Sequence, residues 1–143
     1  AGPLDEVPRA VGHGDFAVRN TFLDEHGRVC VIDPMPRWRT VVLEDLARFV
    51  VSMRLQGAQV HGQGLLYPPS LLDRAERLLL EGYGEPVDPA AWHACYVLVL
   101  LDKWAALVSQ RRTGGRGRAL GAWVDRYVAA EVAHTLRRAE RLR

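Results

Sequence analysis

From residue 41 onward, apolar side chains recur at helical spacing, and this pattern limits the chain to a mainly helical fold. The first stripe falls at i, i+3, i+4 and i+7 and consists of Leu46, Phe49, Val50 and Met53. Such a stripe is typical of a helix with one buried face. We therefore expect a helix that ends near Gln56 or Gly57, followed by a polar, glycine-bearing loop over residues 57–64.

A second helix and a last helix are predicted in the same way. Ser70 has the position of an N-cap for the second helix, which stops at the glycine punctuation of residues 82–84. Its apolar face consists of Leu71, Leu72, Ala75, Leu78 and Leu79. In the last helix, apolar residues recur every four positions, at Leu120, Val124, Val128, Val132 and Leu136.

Between these two helices the sequence predicts a long, central helix. Asp88 and Pro89 form an N-cap and first-turn pair, and the helix is expected to run to about Gln110. It is apolar nearly all round from Ala91 to Leu101, which indicates burial. The run "RRTGGRGR" at 111–118 then reads as a flexible basic connection. The 143 residues fit one domain with a sizeable core.

Composition and charge narrow the class of protein. The net charge of +2 is asymmetric, because residues 1–110 hold 10 basic and 14 acidic side chains whereas residues 111–143 hold 9 and 3. Two cysteines, Cys30 and Cys95, are too few for the disulfide framework of a small secreted domain. No signal peptide and no apolar run of membrane-spanning length is evident. We expect a cytoplasmic protein without a membrane partner.

Before the helices, "TFLDEHGRVCVID" predicts a β-hairpin, because two short β-branched and aromatic runs flank a polar turn. If His26 and Gly27 are the two central turn residues, Phe22 faces Val31 and Leu23 faces Cys30. In that register Asn20 faces Asp33. A longer loop would shift the register.

Three short motifs accompany this hairpin: His13-Gly14-Asp15 with Asn20, Ile32-Asp33, and Asp45-Leu46-Ala47. Together they resemble the C-terminal lobe of the aminoglycoside phosphotransferase and choline kinase family, whose fold is similar to that of protein kinases. The resemblance covers roughly residues 7–50 and beyond that depends on helical content. It implies an α+β, mainly helical fold, in which a small β-hairpin carries the catalytic loop and four to five helices support it.

The resemblance implies a role for each motif residue. Asp15 would be the catalytic base or orienter for the substrate hydroxyl, and Asn20 and Asp33 would hold Mg²⁺ on the phosphates of ATP. One amide and one carboxylate suit Mg²⁺, which favours hard oxygen ligands and few protein carboxylates. Asp45 would accept hydrogen bonds from the catalytic loop backbone, and His13 would brace the same loop.

Other residues have simpler interpretations that stay open. A His-Gly-Asp turn alone is common, Asp33 could end a strand, and Asp45 could cap a helix. A packing role for Trp38 is favoured over substrate stacking, and His61 and His93 are expected in a solvated loop and on a helix surface. For the run at 111–118, a solvated loop is favoured over a nucleic-acid contact, because no aromatic residues are interleaved. Cys95 should be inert.

The sequence also departs from the family it resembles. Val18 and Pro34 stand where the family commonly has a proline and an aromatic residue. Only 12 residues precede His13, so the N-terminal nucleotide-binding lobe is absent, and Lys103 lies too far downstream to replace that lobe's lysine.

The expected function is therefore the catalytic lobe, over residues 1–143, of an ATP-dependent phosphotransferase that acts on a hydroxyl of a small, possibly cationic molecule. Its expected partners are that molecule and the missing lobe. The alternatives are a non-enzymatic helical binding module or pseudokinase remnant and, less favoured, an arginine-mediated nucleic-acid binder.

Overall fold

The computed structural model describes residue 2, residues 4–109 and residues 115–140, and within these residues the fold is α+β and 60% helical. The strands are β1 (Arg9–Gly12), β2 (Thr21–Leu23), β3 (Val29–Val31) and β4 (Arg37–Val41). The helices are α1 (Leu43–Arg54), α2 (Gly57–His61), α3 (Pro69–Tyr83), α4 (Pro89–Ser109) and α5 (Gly115–Glu140). The α+β, mainly helical prediction is confirmed.

The four strands form two separate antiparallel ribbons. β2 pairs with β3 in the predicted hairpin, and β1 pairs with β4, a pairing that the sequence pattern did not reveal. Gly12 lies where β1 meets α1, since a Cβ there would stand 2.5 Å from Thr40 Cγ2 and 3.0 Å from Asp45 Oδ2. The ribbon of β1 and β4 thus holds the residues that lead into His13 against the start of α1.

The predicted register of the hairpin is wrong by one residue. Phe22 pairs with Cys30 and Leu23 with Val29, so the connection spans residues 24–28 and is not a two-residue turn. The side chain of Asp24 closes this longer loop by accepting hydrogen bonds from the backbone N–H groups of His26 and Arg28, both at 2.9 Å. Such aspartate turns are common in loops of this kind.

The predicted helices are present, with corrections at their ends. α1 ends at Arg54, two residues before the expected Gln56. α4 has the expected extent, and Asp88 caps it by accepting the N–H of Ala91 at 2.7 Å. α3 begins at Pro69 after an extended Pro68, so Ser70 is not its N-cap. The predicted loop at 57–64 contains α2, and residues 115–118 of the predicted basic connection belong to α5, while residues 111–114 lie outside the described residues.

The core lies where α1, α4 and α5 pack together. Its fully enclosed side chains include Ala47, Val50, Leu100 and Val128, each 0% exposed. The expected burial of α4 over residues 91–101 is confirmed for most of that stretch, and the C-terminal half of the helix is exposed. His93, expected on the helix surface, is buried and its Nδ1 lies 2.6 Å from the carbonyl oxygen of Pro89.

By length and composition alone, α4 is also apolar enough to cross a membrane. The core helix of a soluble protein has the same properties, and α4 supplies half of the helical core here. This helix is therefore weak evidence for a membrane location. The hairpin shows a different apolar feature, since Leu23 and Val29 on one face are 67% and 66% exposed and Phe22 on the other is 49% exposed.

A buried ion cluster joins four of the helices. Arg54, at the end of α1, is 1% exposed, and its guanidinium contacts Asp73 at 2.6 Å, Glu76 at 2.8 Å and Glu131 at 3.4 Å. Glu76 also accepts hydrogen bonds from Arg138 of α5 and from the indole nitrogen of Trp92 of α4. Because each buried charge has an opposite partner, the cluster avoids the cost of an isolated buried ion.

Candidate active site

The loop between β1 and β2 contains His13, Gly14, Asp15 and Asn20, and it is attached to the first turn of α1. The carboxylate of Asp45 accepts hydrogen bonds from the backbone N–H of His13 at 2.5 Å and of Gly14 at 3.0 Å. Gly14 is buried and has a φ of 80°, a conformation that a side chain would strain. The start of the loop therefore has one conformation, set by α1.

Two further contacts hold the same loop on the same face of α1. The ring of Phe16 packs on that of Phe49, with centroids 4.8 Å apart. The backbone N–H of Val18 donates to Ser52 Oγ at 2.9 Å. Asp45, Phe49 and Ser52 are spaced i, i+4 and i+7, so one face of α1 carries the loop while the neighbouring face enters the core.

Asp15 and Asn20 are in direct contact. The amide Nδ2 of Asn20 donates to the backbone carbonyl of Asp15 at 2.8 Å and to its carboxylate oxygen Oδ2 at 2.9 Å. Asn20 is 6% exposed and ends a single 3-10 turn over Val18–Asn20. Since the nitrogen is committed to Asp15, the amide oxygen is the atom of Asn20 that could serve as a metal ligand.

Arg19, which the sequence motifs did not predict as a site residue, also contacts Asp15. Its Nη2 lies 2.7 Å from Oδ1 and 2.5 Å from Oδ2 of the carboxylate. Partial burial raises the pKa of Asp15, but the hydrogen bonds from Asn20 and Arg19 outweigh it, and the pKa lies below its ordinary value. Asp15 is therefore ionised at neutral pH and able to accept a hydrogen bond.

His13 links this loop to the second motif. Its Nδ1 accepts the backbone N–H of Asp15 at 3.3 Å, so the other ring nitrogen, Nε2, carries the proton and donates to the carbonyl of Ile32 at 3.1 Å. The backbone N–H of Ile32 in turn donates to the carbonyl of Asn20 at 2.9 Å. Both ring nitrogens of His13 are thus used in joining the two segments.

Asp33 lies beside this junction, but its register differs from the expected one. Asn20 is opposite Ile32, and Asp33 is the next residue, with an exposed side chain and a φ of 58°. Within the described part of the chain, no hydrogen bond joins the Asp33 carboxylate to Asp15 or Asn20, and no group of three His, Cys, Asp or Glu residues could hold a metal ion. The structure therefore brings the side chains of Asp15 and Asn20 together. It places Asp33 one residue after Ile32, which is opposite Asn20.

These residues fit Mg²⁺ by their chemistry. Mg²⁺ usually keeps several waters and takes only one or two protein oxygens, so a three-residue carboxylate cluster is not required. The Asn20 amide oxygen and the exposed carboxylate of Asp33, the residue after Ile32, are two protein groups of this kind near the loop. Their role as ligands, and the roles of Asp15, His13 and Asp45 in catalysis, stay predictions.

A small cavity of about 50 Å³ opens beside Asp15. Its charged lining consists of three cations and two carboxylates: Arg19, Arg48, Lys103, Asp15 and Asp102. Arg48 is held by Glu44 at 2.6 Å, whereas Lys103 is exposed and lowers the pKa of Asp15 through its charge. The charge next to Asp15 is therefore mixed. Arg19 could have been noticed from its position four residues after Asp15, but no sequence signal places Lys103 there.

Two larger cavities, of about 660 and 500 Å³, lie elsewhere. Both border the N-terminal end of α4, and neither contains any of the predicted site residues. Volume alone would favour them as ligand sites. The cluster around Asp15 is the stronger candidate, because it combines an ionised carboxylate, an ordered loop and several oriented polar groups.

No protein-family model, curated protein or solved structure matches this chain.

Proposed function

We propose that the chain is the catalytic lobe of an ATP-dependent phosphotransferase that acts on a hydroxyl group of a small molecule in the cytoplasm. The observation that carries the proposal is the contact between Asp15 and Asn20 on a loop held by Asp45 and joined through His13 to Ile32. In phosphoryl transfer the protein mainly positions groups and balances charge. An ordered loop with an ionised carboxylate is suited to that task.

Each residue would contribute one part of the reaction. The Asp15 carboxylate would accept the hydrogen bond of the acceptor hydroxyl and orient its oxygen toward the terminal phosphate. A pKa below the ordinary value makes Asp15 a weak base, so orientation is its main contribution. Asn20 and Asp33 would hold Mg²⁺, which when bound balances the charge of the phosphates.

The acceptor is proposed to be a small hydroxyl compound. The sequence suggested a cationic one, and that suggestion stays a prediction. The described surroundings of Asp15 provide both signs of charge and do not by themselves select a cation.

Metal binding to the isolated chain tests the proposal. Mn²⁺ can replace Mg²⁺ and broadens the NMR signals of nearby backbone amides. With Mn²⁺ and ATP present, we expect selective broadening at residues 15, 20, 32 and 33. Asp33→Asn should lower Mn²⁺ affinity by about tenfold or more, since even the loss of a residue that supports a metal ligand typically costs about 10–100-fold. Glu25→Gln removes an exposed carboxylate from the same hairpin and is the matched control.

Catalysis itself needs a second measurement. With the chain joined to an N-terminal nucleotide-binding lobe of the family it resembles, ATP consumption in the presence of hydroxyl compounds can be followed by ³¹P NMR, and Asp15→Asn should abolish it while Mn²⁺ binding remains. Equal broadening in Asp33→Asn and the parent would remove the metal assignment. ATP consumption by Asp15→Asn at the parent rate would remove the assignment of Asp15.

A non-enzymatic binding module is the second candidate function. The ion pair of Arg19 with Asp15 occupies the carboxylate that a substrate would need, and the hairpin exposes apolar side chains on both faces. Exposed apolar surface of this kind is typical of interaction sites. This candidate predicts no metal-dependent nucleotide binding, so the Mn²⁺ measurement distinguishes the two.

A further inference from the structure

The contact between Arg19 and Asp15 is close but accessible to solvent. A single guanidinium nitrogen, Nη2, reaches both carboxylate oxygens, and the two side chains are 61% and 26% exposed. Ion pairs at such exposure are weakened by solvent and contribute little stability. The guanidinium can therefore exchange Asp15 for a stronger anionic partner at small cost.

Lys103 supplies a second cation next to the same carboxylate. It lies on the exposed C-terminal half of α4 and lines the cavity beside Asp15 together with Arg19. Among the residues that the structure describes, no hydrogen bond or ion pair engages its ammonium group. The third cation of the cavity, Arg48, is already bound by Glu44.

We propose that Arg19 covers Asp15 until a phosphate group arrives, and that Arg19 and Lys103 then hold this phosphate beside Asp15. A phosphate group carries more charge than a carboxylate and offers more acceptor oxygens, so it attracts a guanidinium more strongly. A ligand shifts a conformation only through such a difference in affinity. The departure of Arg19 opens the Asp15 carboxylate to a hydroxyl donor.

This inference rests on the proposed phosphotransferase function and adds a form of regulation to it. In the absence of phosphate, the acceptor hydroxyl competes with a guanidinium for Asp15. With phosphate bound, the two cations balance its charge, a task that such enzymes commonly give to arginine and lysine. The lobe would thus present its carboxylate only when there is a group to transfer.

An NMR titration with inorganic tripolyphosphate, without metal or nucleotide, tests the inference. The signals to follow are the side-chain Nε–H of Arg19 and the carboxylate carbon of Asp15. In the parent chain, we expect both signals to move together, with the Asp15 carbon approaching its position in Arg19→Gln. Affinity should fall by about tenfold or more in Arg19→Gln, as for a lost charge-assisted hydrogen bond, and by a smaller factor in Lys103→Gln.

Arg28→Gln is the matched control. Arg28 pairs with Asp24 through the same spacing of four residues at 2.7 Å and is similarly exposed, but it lies in the hairpin loop. Its loss should leave tripolyphosphate affinity unchanged, whereas an equal loss in Arg28→Gln and Arg19→Gln would indicate general attraction by charge. That result would overturn the proposal, as would an absence of binding or an Asp15 carbon that does not move at saturation.

The metal-free titration separates this inference from the proposed function. Asp33→Asn should weaken Mn²⁺ binding and leave the tripolyphosphate titration unchanged. Failure of the Mn²⁺ experiment with a successful titration would leave a phosphate-binding lobe without the metal site. The reverse result would leave the metal site and remove the role of Arg19.

Discussion

Replacement of Arg54 by methionine should strongly destabilise the protein. Methionine has a similar length and is a good helix former, so it removes the charge with little change in local helix propensity. It leaves Glu76, whose side chain is 3% exposed, and Glu131, whose side chain is 11% exposed, without their central cation. A buried carboxylate that loses its cationic partner destabilises the folded state, because water cannot reach it to solvate its charge.

The magnitude follows from the remaining contacts. Breaking a buried ion pair costs about 3–5 kcal/mol. Glu76 keeps hydrogen bonds from Arg138 at 2.8 and 2.9 Å and from Trp92 at 3.0 Å, and Asp73 is one-third exposed and can be hydrated. The low end of that range, about 3 kcal/mol, is therefore expected. For a domain of this size, this corresponds to a fall in Tm of roughly 10 °C.

Urea unfolding followed by circular dichroism measures this change. Arg28→Met, which removes an exposed arginine from an ion pair of similar length, should unfold like the parent. Adding Glu131→Gln to Arg54→Met should recover part of the loss, because Arg54 is the one cation that contacts the Glu131 carboxylate among the described residues, and a neutral amide is less costly to bury than an unpaired carboxylate. A loss below about 1 kcal/mol, or a double variant no more stable than Arg54→Met, would refute the argument from burial.

Three further predictions concern other parts of the fold. Burial raises the pKa of Glu76, but its arginine partners outweigh burial and hold that pKa below its ordinary value of 4.5. The stability it contributes is present above pH 4.5 and is lost as the pH falls through the folded-state pKa, so urea midpoints should fall in acid; a flat profile would contradict this. Gly12→Ala should cost about 1–3 kcal/mol through crowding against β4 and α1, whereas Gly82→Ala in α3, where a Cβ meets nothing within 4 Å, should not destabilise in urea unfolding. A maleimide should label Cys30, which is half-exposed, before Cys95, because burial raises the pKa of Cys95 to about 11; mass spectrometry of peptides would reveal the opposite order.

The helices were the part of the fold that the sequence predicted best. The stripe that contains Leu46 and Val50 identified α1 because burial of one face produces a regular spacing. The pairing of β1 with β4 was missed because Arg9–Gly12 and Arg37–Val41 are short and mostly polar or glycine-bearing, without the alternation that marks a half-buried strand. The hairpin register was missed because the Asp24 side chain stabilises a longer loop.

The sequence predicted the candidate site only in part, because some of its contacts join residues that are distant in the chain. Motif spacing pointed to Asp15, Asn20 and Asp45, and the first two are in contact in the structure. The cation partners of Asp15 were not accessible, because Lys103 is far away in sequence and approaches only when α4 packs on α1. Nor does any local pattern reveal that Arg54, a residue type that is usually exposed, lies at the centre of a charged core cluster.

α1 performs two tasks at its two ends. Asp45, in its first turn, fixes the loop that carries Asp15, and Arg54, its last residue, is the hub of the buried charges. Asp45 and Arg54 are nine residues apart in one helix, which separates them by about 14 Å along its axis. Any variant that tilts or loosens α1 at the Arg54 end should also move the loop that carries Asp15 at the opposite end, so substitutions in the buried ion cluster can change the position of the Asp15 carboxylate from a distance.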